Sequence, residues 1–288
     1  MKLKKVILNT VALIILVALL VLVTAAKPYR RGFWCSDETI KYKKQKETVD
    51  VKQLALLCAL LPFIVIIITE IVASKKVEKL ILSKLKKQNN RRSSSEPESS
   101  FWANLGSVTY SWFFTLSLTA LITGVIKVQV GRLRPVFYLM CLPDVSCSDP
   151  VNQGVYLTNY TCTAANESTE NFIRSSFPSG HTSYTISSML FLIIYYSKRF
   201  NVDKNNDWRF LIALIQTGFL SIALYVGLSR VADNIHHWQD VLGGFIIGVV
   251  VTLVCACFLD HFNSSNEEKS DQNDSKSKVD YPERLETF

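Results

Sequence analysis

Apolar and polar residues along this chain fall into long blocks, without the short periods of amphipathic helices or alternating strands. The apolar blocks run over Val6–Ala26, Leu54–Ala73, Leu105–Val130, Gly180–Tyr196, Phe210–Leu228 and Val241–Leu259. Several approach the ~20 residues a helix needs to cross a bilayer. The pattern predicts an all-α, polytopic membrane protein with six transmembrane helices. Pro62 predicts a kink in the second span. Glu70 is expected at the interface, beside Lys75 and Lys76. Val6–Ala26 is longer than the ~7–15 residues of a signal-peptide core and reads as an uncleaved first span.

The polar blocks supply the connections. Lys27–Asp50 and Gly131–Pro178 are long loops, and Lys198–Trp208 is a short one. Ser74–Ser100 is basic and then Ser-rich, which reads as a flexible cytoplasmic linker. Residues 1–260 form one membrane domain. Residues 261–288 are polar, charged and poor in aromatics, and are expected to be a disordered cytoplasmic tail. Six spans put both termini on one side. Lys and Arg are denser in the N-terminus, the second and fourth connections and the tail, so that side is expected to be cytoplasmic. The basic first loop runs against this assignment.

Composition sharpens the class. Hydrophobic residues make up 49% of the 288 and the formal net charge is +8. The lysines flank apolar spans and do not form one face, which favours membrane lipids as partners over nucleic acid. Asn159 and Asn166 stand in N-x-S/T sequons of the third loop, which this topology puts outside, while Asn263 and Asn273 match the same pattern in the tail expected inside. Cys35, Cys141, Cys147 and Cys162 fall in the same outer loops, where disulfides form. Their three possible pairings stay open. No His/Cys set has the spacing of a zinc site, so no metal is expected.

Three polar stretches break the apolar pattern. Ser229–Asp240 joins the fifth and sixth spans and reads S-R-V-A-D-N-I-H-H-W-Q-D. His236 and Asp240 stand four apart, so on a helix the carboxylate can orient the imidazole. Arg230 offers a planar fork of donors suited to phosphate. The third span ends in Lys127-V-Q-V-G-R-L-Arg134-Pro135, with its two cations about two helical turns apart. Pro135 marks the exit from the helix. The fourth span opens on Pro178-Ser179-Gly180-His181. Here a helix N-terminus offers free N–H groups, Ser179 a hydroxyl, Gly180 close backbone approach and His181 a proton donor.

The end of span three, the start of span four and the join of spans five and six lie on one side, whichever way the chain is inserted. Lys127, Arg134, Ser179, His181, Arg230, His236 and Asp240 can therefore converge. Three cations, helix N-terminal donors and two histidines describe a phosphate site with a nucleophile and an acid. No acidic cluster stands by to hold magnesium, which indicates metal-free phosphoryl transfer without a cofactor.

In this order, K-x6-R-P, P-S-G-H and S-R-x5-H-x3-D resemble the three signature motifs of the type 2 phosphatidic acid phosphatase superfamily. R-G-F-W-C-S-D-E-T-I-K-Y in the first loop, G-R-L-R-P and Y-V-G-L-S-R-V-A-D resemble its animal lipid phosphate phosphatase branch. The resemblance implies that His236 is the nucleophile, forming a phosphohistidine, that Asp240 orients it, and that His181 protonates the leaving alcohol. It implies that Lys127, Arg134, Ser179, Gly180 and Arg230 bind the phosphate. Lipid phosphate substrates are implied: phosphatidic acid, lysophosphatidic acid, sphingosine 1-phosphate and ceramide 1-phosphate. So are a homo-oligomer and a plasma-membrane site facing outside, with internal membranes as the alternative. Rival readings are a relative acting on polyprenyl or sugar phosphates, a non-catalytic lipid-binding or adhesion protein, and a transporter. Intact motifs and largely apolar spans speak against the last two.

Overall fold

A computed structural model describes residues 2–73, 97–200 and 209–277. Most of the Ser-rich connection, residues 74–96, and residues 201–208 and 278–288 lie outside the described residues. The long helices are α1 (Lys2–Ala25), α2 (Val51–Ala73), α3 (Pro97–Val130), α6 (Gly180–Arg199), α7 (Arg209–Ala232) and α8 (Trp238–Ser277). Two short helices, α4 (Phe137–Cys141) and α5 (Glu167–Ile173), lie between α3 and α6. Strands β1 (Phe33–Trp34) and β2 (Tyr156–Leu157) pair antiparallel. The backbone of α8 stays helical from the last apolar span into the stretch read as a tail.

Among the described residues, five helices are long and apolar enough to cross a membrane: Val6–Ala25, Val51–Ala73, Phe101–Val130, Arg209–Ala232 and Trp238–Cys257. The exception is α6. Its first half is rich in hydroxyls, and Thr182, Ser183, Thr185, Ser187 and Ser188 are all buried. The reason is its position. α6 packs against α3, α7 and α8, so these residues face protein and not lipid. Thr119 donates to Ser187 at 3.0 Å, Thr123 and Ser183 share a bond of 3.0 Å, and Thr252 reaches Ser187 at 3.1 Å. Such hydroxyls tie helices together where water cannot. α8 comes close enough for this because Gly244 and Gly248 face α6, where a Cβ would meet the Ser179 and Ser183 carbonyls.

Pro62 acts through the backbone group it leaves unpaired. The turn before it, Leu56–Leu60, winds as a π-helix. Without a Pro62 N–H, the Cys58 carbonyl accepts the Ser188 hydroxyl of α6 at 3.1 Å. Glu70 has partners that the sequence does not mark. Near the end of its span, it is 1% exposed and packed inside the protein. It accepts Tyr195 Oη at 2.7 Å, and Arg199 Nε and Nη2 clamp its two oxygens at 3.0 Å each. The carboxylate is buried because α6 brings it a cation and a hydroxyl.

At the opposite end of α6 a small cap covers the bundle. Its core is Phe33, Ile40, Leu133, Phe137, Leu157, Tyr160 and Ile173 with two disulfides. The four outer-loop cysteines pair as Cys35–Cys147 and Cys141–Cys162. Asn159 and Asn166 are exposed on this cap, and Asn166 Oδ1 caps α5 by accepting from Thr169 N.

Candidate functional site

The site is assembled from backbone outward. α3 ends where Gly131 takes φ +56, a conformation that favours glycine, and its N–H bonds the Lys127 carbonyl at 3.1 Å. The chain then runs beside the segment that precedes Pro178. Arg134 N donates to Ile173 O and Ser176 N to Arg132 O, both at 2.9 Å. Ser179 caps α6, and its own N–H donates to Asp240 O at 2.9 Å. Asn234, at φ +57, turns the chain between α7 and α8, and the His236 N–H bonds Arg230 O at 3.1 Å. Three stretches distant in sequence are thus joined by main-chain bonds.

The side chains follow. Lys127 Nζ and Arg134 Nη2 both donate to the Ser175 carbonyl, at 2.8 and 3.3 Å. Arg134 also donates from Nε to Phe172 O at 2.7 Å and stacks over the Phe172 ring at 3.9 Å. Its Nη1 lies 3.3 Å from His236 Nε2. Burial pulls the Arg134 guanidinium down to about 9, with Asp240 opposing, so it remains a cation at neutral pH.

His236 is 2% exposed. Its Nδ1 faces Ser176 Oγ at 3.5 Å and Asp240 Oδ2 at 3.6 Å, which leaves Nε2 on the Arg134 side. Burial, then the Arg134 charge, holds this imidazole well below its usual range and therefore neutral. Asp240 is fully buried. Its Oδ1 accepts Arg132 Nη1 at 2.7 Å. Its Oδ2 accepts Ser176 Oγ at 2.5 Å and the His237 N–H at 2.9 Å. His237 Nδ1 stands 3.2 Å from the same oxygen, closer than His236. The four-residue spacing pointed to one histidine, and the carboxylate meets both.

Arg230 is fully buried, held by Asp233 at 2.8 Å and by Ser229 Oγ, with Glu47 at 3.5 Å. His181 is half-buried and its Nε2 has no partner among the described residues. Its charged neighbours are Arg230, Glu47, Arg134 and Lys127. The candidates therefore gather at one end of the bundle, where Lys127, Arg134 and Arg230 are the positively charged neighbours of His181. Among the described residues, no three His, Cys, Asp or Glu side chains group as metal ligands.

Five participants stand outside the residues that motif spacing marks. Arg132 is the first arginine of G-R-L-R-P, whose second is the motif residue, and Ser176 stands only two residues before Pro178. Asp233 lies within the third motif. It accepts Thr48 N at 2.8 Å and Thr48 Oγ1 at 2.7 Å, which ties the first loop over the site. Glu47 and Thr48 themselves sit in a lysine-rich loop with no period or motif to mark them.

The chain is similar to known proteins. The profile of the PAP2 superfamily matches residues 109–264. A putative phosphatidate phosphatase of Drosophila melanogaster is 34% identical over 83% of this chain and 64% of its own length. Phospholipid phosphatase 1 of Rattus norvegicus is 32% identical over 89% of this chain and 85% of its own. Phospholipid phosphatase 2 of Homo sapiens is 31% identical over 85% of this chain and 78% of its own. No solved structure matches the chain.

Proposed function

We propose, from the premise that the chain belongs to the PAP2 superfamily and is a membrane phosphatase of its animal lipid phosphate phosphatase branch, that it hydrolyses lipid phosphate monoesters through His236. Phosphatidic acid, lysophosphatidic acid, sphingosine 1-phosphate and ceramide 1-phosphate suit a site at headgroup level. Their phosphates meet cations while their chains stay in lipid. The observation that carries the reading is the set of the His236 ring: buried, Nδ1 toward Asp240, and Nε2 toward Arg134.

In the first step Nε2 attacks phosphorus and the bond to the lipid oxygen breaks. That oxygen takes a proton from His181 Nε2, the buried atom left without a partner. The product is an alcohol and a phosphohistidine, whose charge faces Asp240. In the second step His181 takes a proton from water, the oxygen attacks phosphorus, and the N–P bond returns its pair to His236. Lys127, Arg134, Arg230 and the free N–H groups at the start of α6 hold the phosphoryl oxygens. Arg134 must exchange its contact with Nε2 for a phosphate oxygen. The cations meet the phosphate charge without a metal.

The same reading makes α6 a membrane span, the fourth of six in chain order, puts both termini in the cytoplasm and places the cap and site outside or in a lumen, in the plasma membrane or an internal one. The disulfides and sequons of the cap support that side.

Phosphate release from phosphatidic acid micelles in EDTA tests the chemistry. Wild type is expected to stay active. His236→Ala should lose about a thousandfold or more in kcat, and His237→Ala should retain turnover. A requirement for magnesium, or a fully active His236→Ala, would sink the mechanism.

A further inference from the structure

A cleft of about 460 Å³ opens on the cap behind Asp240. Its walls include Tyr29, Arg31, Trp34, Arg132, Tyr156 and His237. It is not the phosphate site described above. His236 turns Nε2 to Arg134, whereas the cleft is bordered by Arg132 and His237, which hold Asp240. The cleft lies at the level where α1 and α3 end, since Tyr29 N donates to Val128 O at 2.8 Å and Arg132 follows α3 directly.

Its chemistry is that of an anion with an apolar border. Arg31 and Arg132 bring positive charge, and the single acid on the wall, Asp37, is already committed to Thr39 N and Oγ1. Arg132 spends Nη1 on Asp240, while Nη2 has only a 3.4 Å contact with Gln239, so one edge of the fork remains for a ligand. His237 Nε2 is buried with no partner among the described residues. Trp34 and Tyr156 pair at 5.3 Å and are 46% and 40% exposed, as aromatic residues are where protein meets the headgroup layer.

We propose that this cleft is a second, non-catalytic site for a hydroxyl-bearing anionic phosphodiester headgroup, coupled to the nucleophile through Arg132 and Asp240. The phosphodiester oxygens pair with Arg31 and the open edge of Arg132, and a headgroup hydroxyl donates to His237 Nε2. A diester has no terminal phosphoryl group to transfer, so it occupies the cleft as an effector. An anion on Arg132 competes with Asp240 for the guanidinium. More of the carboxylate's charge is then left to stabilise the imidazolium that forms as His236 attacks. Occupancy should therefore raise kcat. The coupling rests on the catalytic reading above, and the binding does not.

The test uses the full chain in phosphatidylcholine nanodiscs, with and without phosphatidylglycerol, and separately with soluble glycerophosphoglycerol. Thermal unfolding reads binding, and lipid phosphate hydrolysis reads coupling. Phosphatidylglycerol should raise the Tm and should raise kcat about fivefold at unchanged KM. Arg31→Gln and Trp34→Ala, which touch no catalytic group, should keep the phosphatidylcholine activity and lose both responses. A response to the soluble diester as well would support the same site and show that it also takes free ligand. No Tm response to either diester, or responses that persist in both variants, would overturn the proposal. If wild type hydrolysed no lipid phosphate, the catalytic reading would fail while the Tm arm still judged the cleft.

Discussion

Ser176 shows how much a site can rest on a residue of ordinary type. Its hydroxyl donates to Asp240 Oδ2 at 2.5 Å and faces His236 Nδ1 at 3.5 Å, so it fixes the carboxylate against the nucleophile. Removing a hydrogen bond to a buried charge costs about 1.5–3 kcal/mol. Ser176→Ala should therefore lower kcat by roughly ten- to a hundredfold. KM should stay near wild type, because the hydroxyl contacts Asp240 and His236 and none of Lys127, Arg134 and Arg230. Steady-state kinetics on one lipid phosphate check this, and a rise in KM alone would refute it.

His236 makes a second prediction at this scale. Burial holds the native imidazole well below 6.5, so the unfolded chain binds a proton first as pH falls. Stability is then at its full value above about 6.5 and is lost below it, toward the folded value. Thermal unfolding between pH 7.5 and 5 should show the Tm falling through the lower part of that range. His236→Ala should flatten the slope. An unchanged slope in the variant would show that another group governs it.

Among the elements, α6 separates two tasks by its length. Gly180 and His181 open it at the site, and Arg199 closes it on Glu70, about 28 Å away at 1.5 Å per residue. Breaking a buried pair by removing one partner costs about 3–5 kcal/mol. Glu70→Ala should lower the Tm by several degrees while kcat stays within about twofold at permissive temperature, because stability effects at sites without shared partners act independently. A large loss of kcat with an unchanged Tm would mean that the far end of α6 reaches the chemistry. The same helix explains why hydropathy alone reads it poorly. Its hydroxyls are paired with α3 and α8, and a transfer scale counts them as if they faced lipid.

Across the whole molecule, cap and bundle are joined at the site. Asp233 takes the main chain and side chain of Thr48, and Cys35–Cys147 ties the first loop to the third across 112 residues. If the cap lies outside, Asn159 and Asn166, both exposed, should carry glycans. Expression in a glycosylating cell followed by glycosidase treatment should shift the mobility of wild type. Asn159→Gln with Asn166→Gln should abolish the shift. A shift that survives the double variant would put Asn263 and Asn273, the N-x-S sequons of the tail, outside and reverse the topology.

Blocks of apolar residues determined the helical membrane class, because a helix in lipid satisfies its own backbone and needs only length and apolar side chains. Motif spacing marked His181, Arg230, His236 and Asp240, because these residue types at those intervals are legible without contacts. Tertiary structure alone decided the rest. It chose one cysteine pairing of three, closed a clamp on Glu70, and brought Ser176, Arg132, Asp233 and Glu47 to the site. Each of these depends on a partner distant in the chain, and no local period or spacing carries that distance.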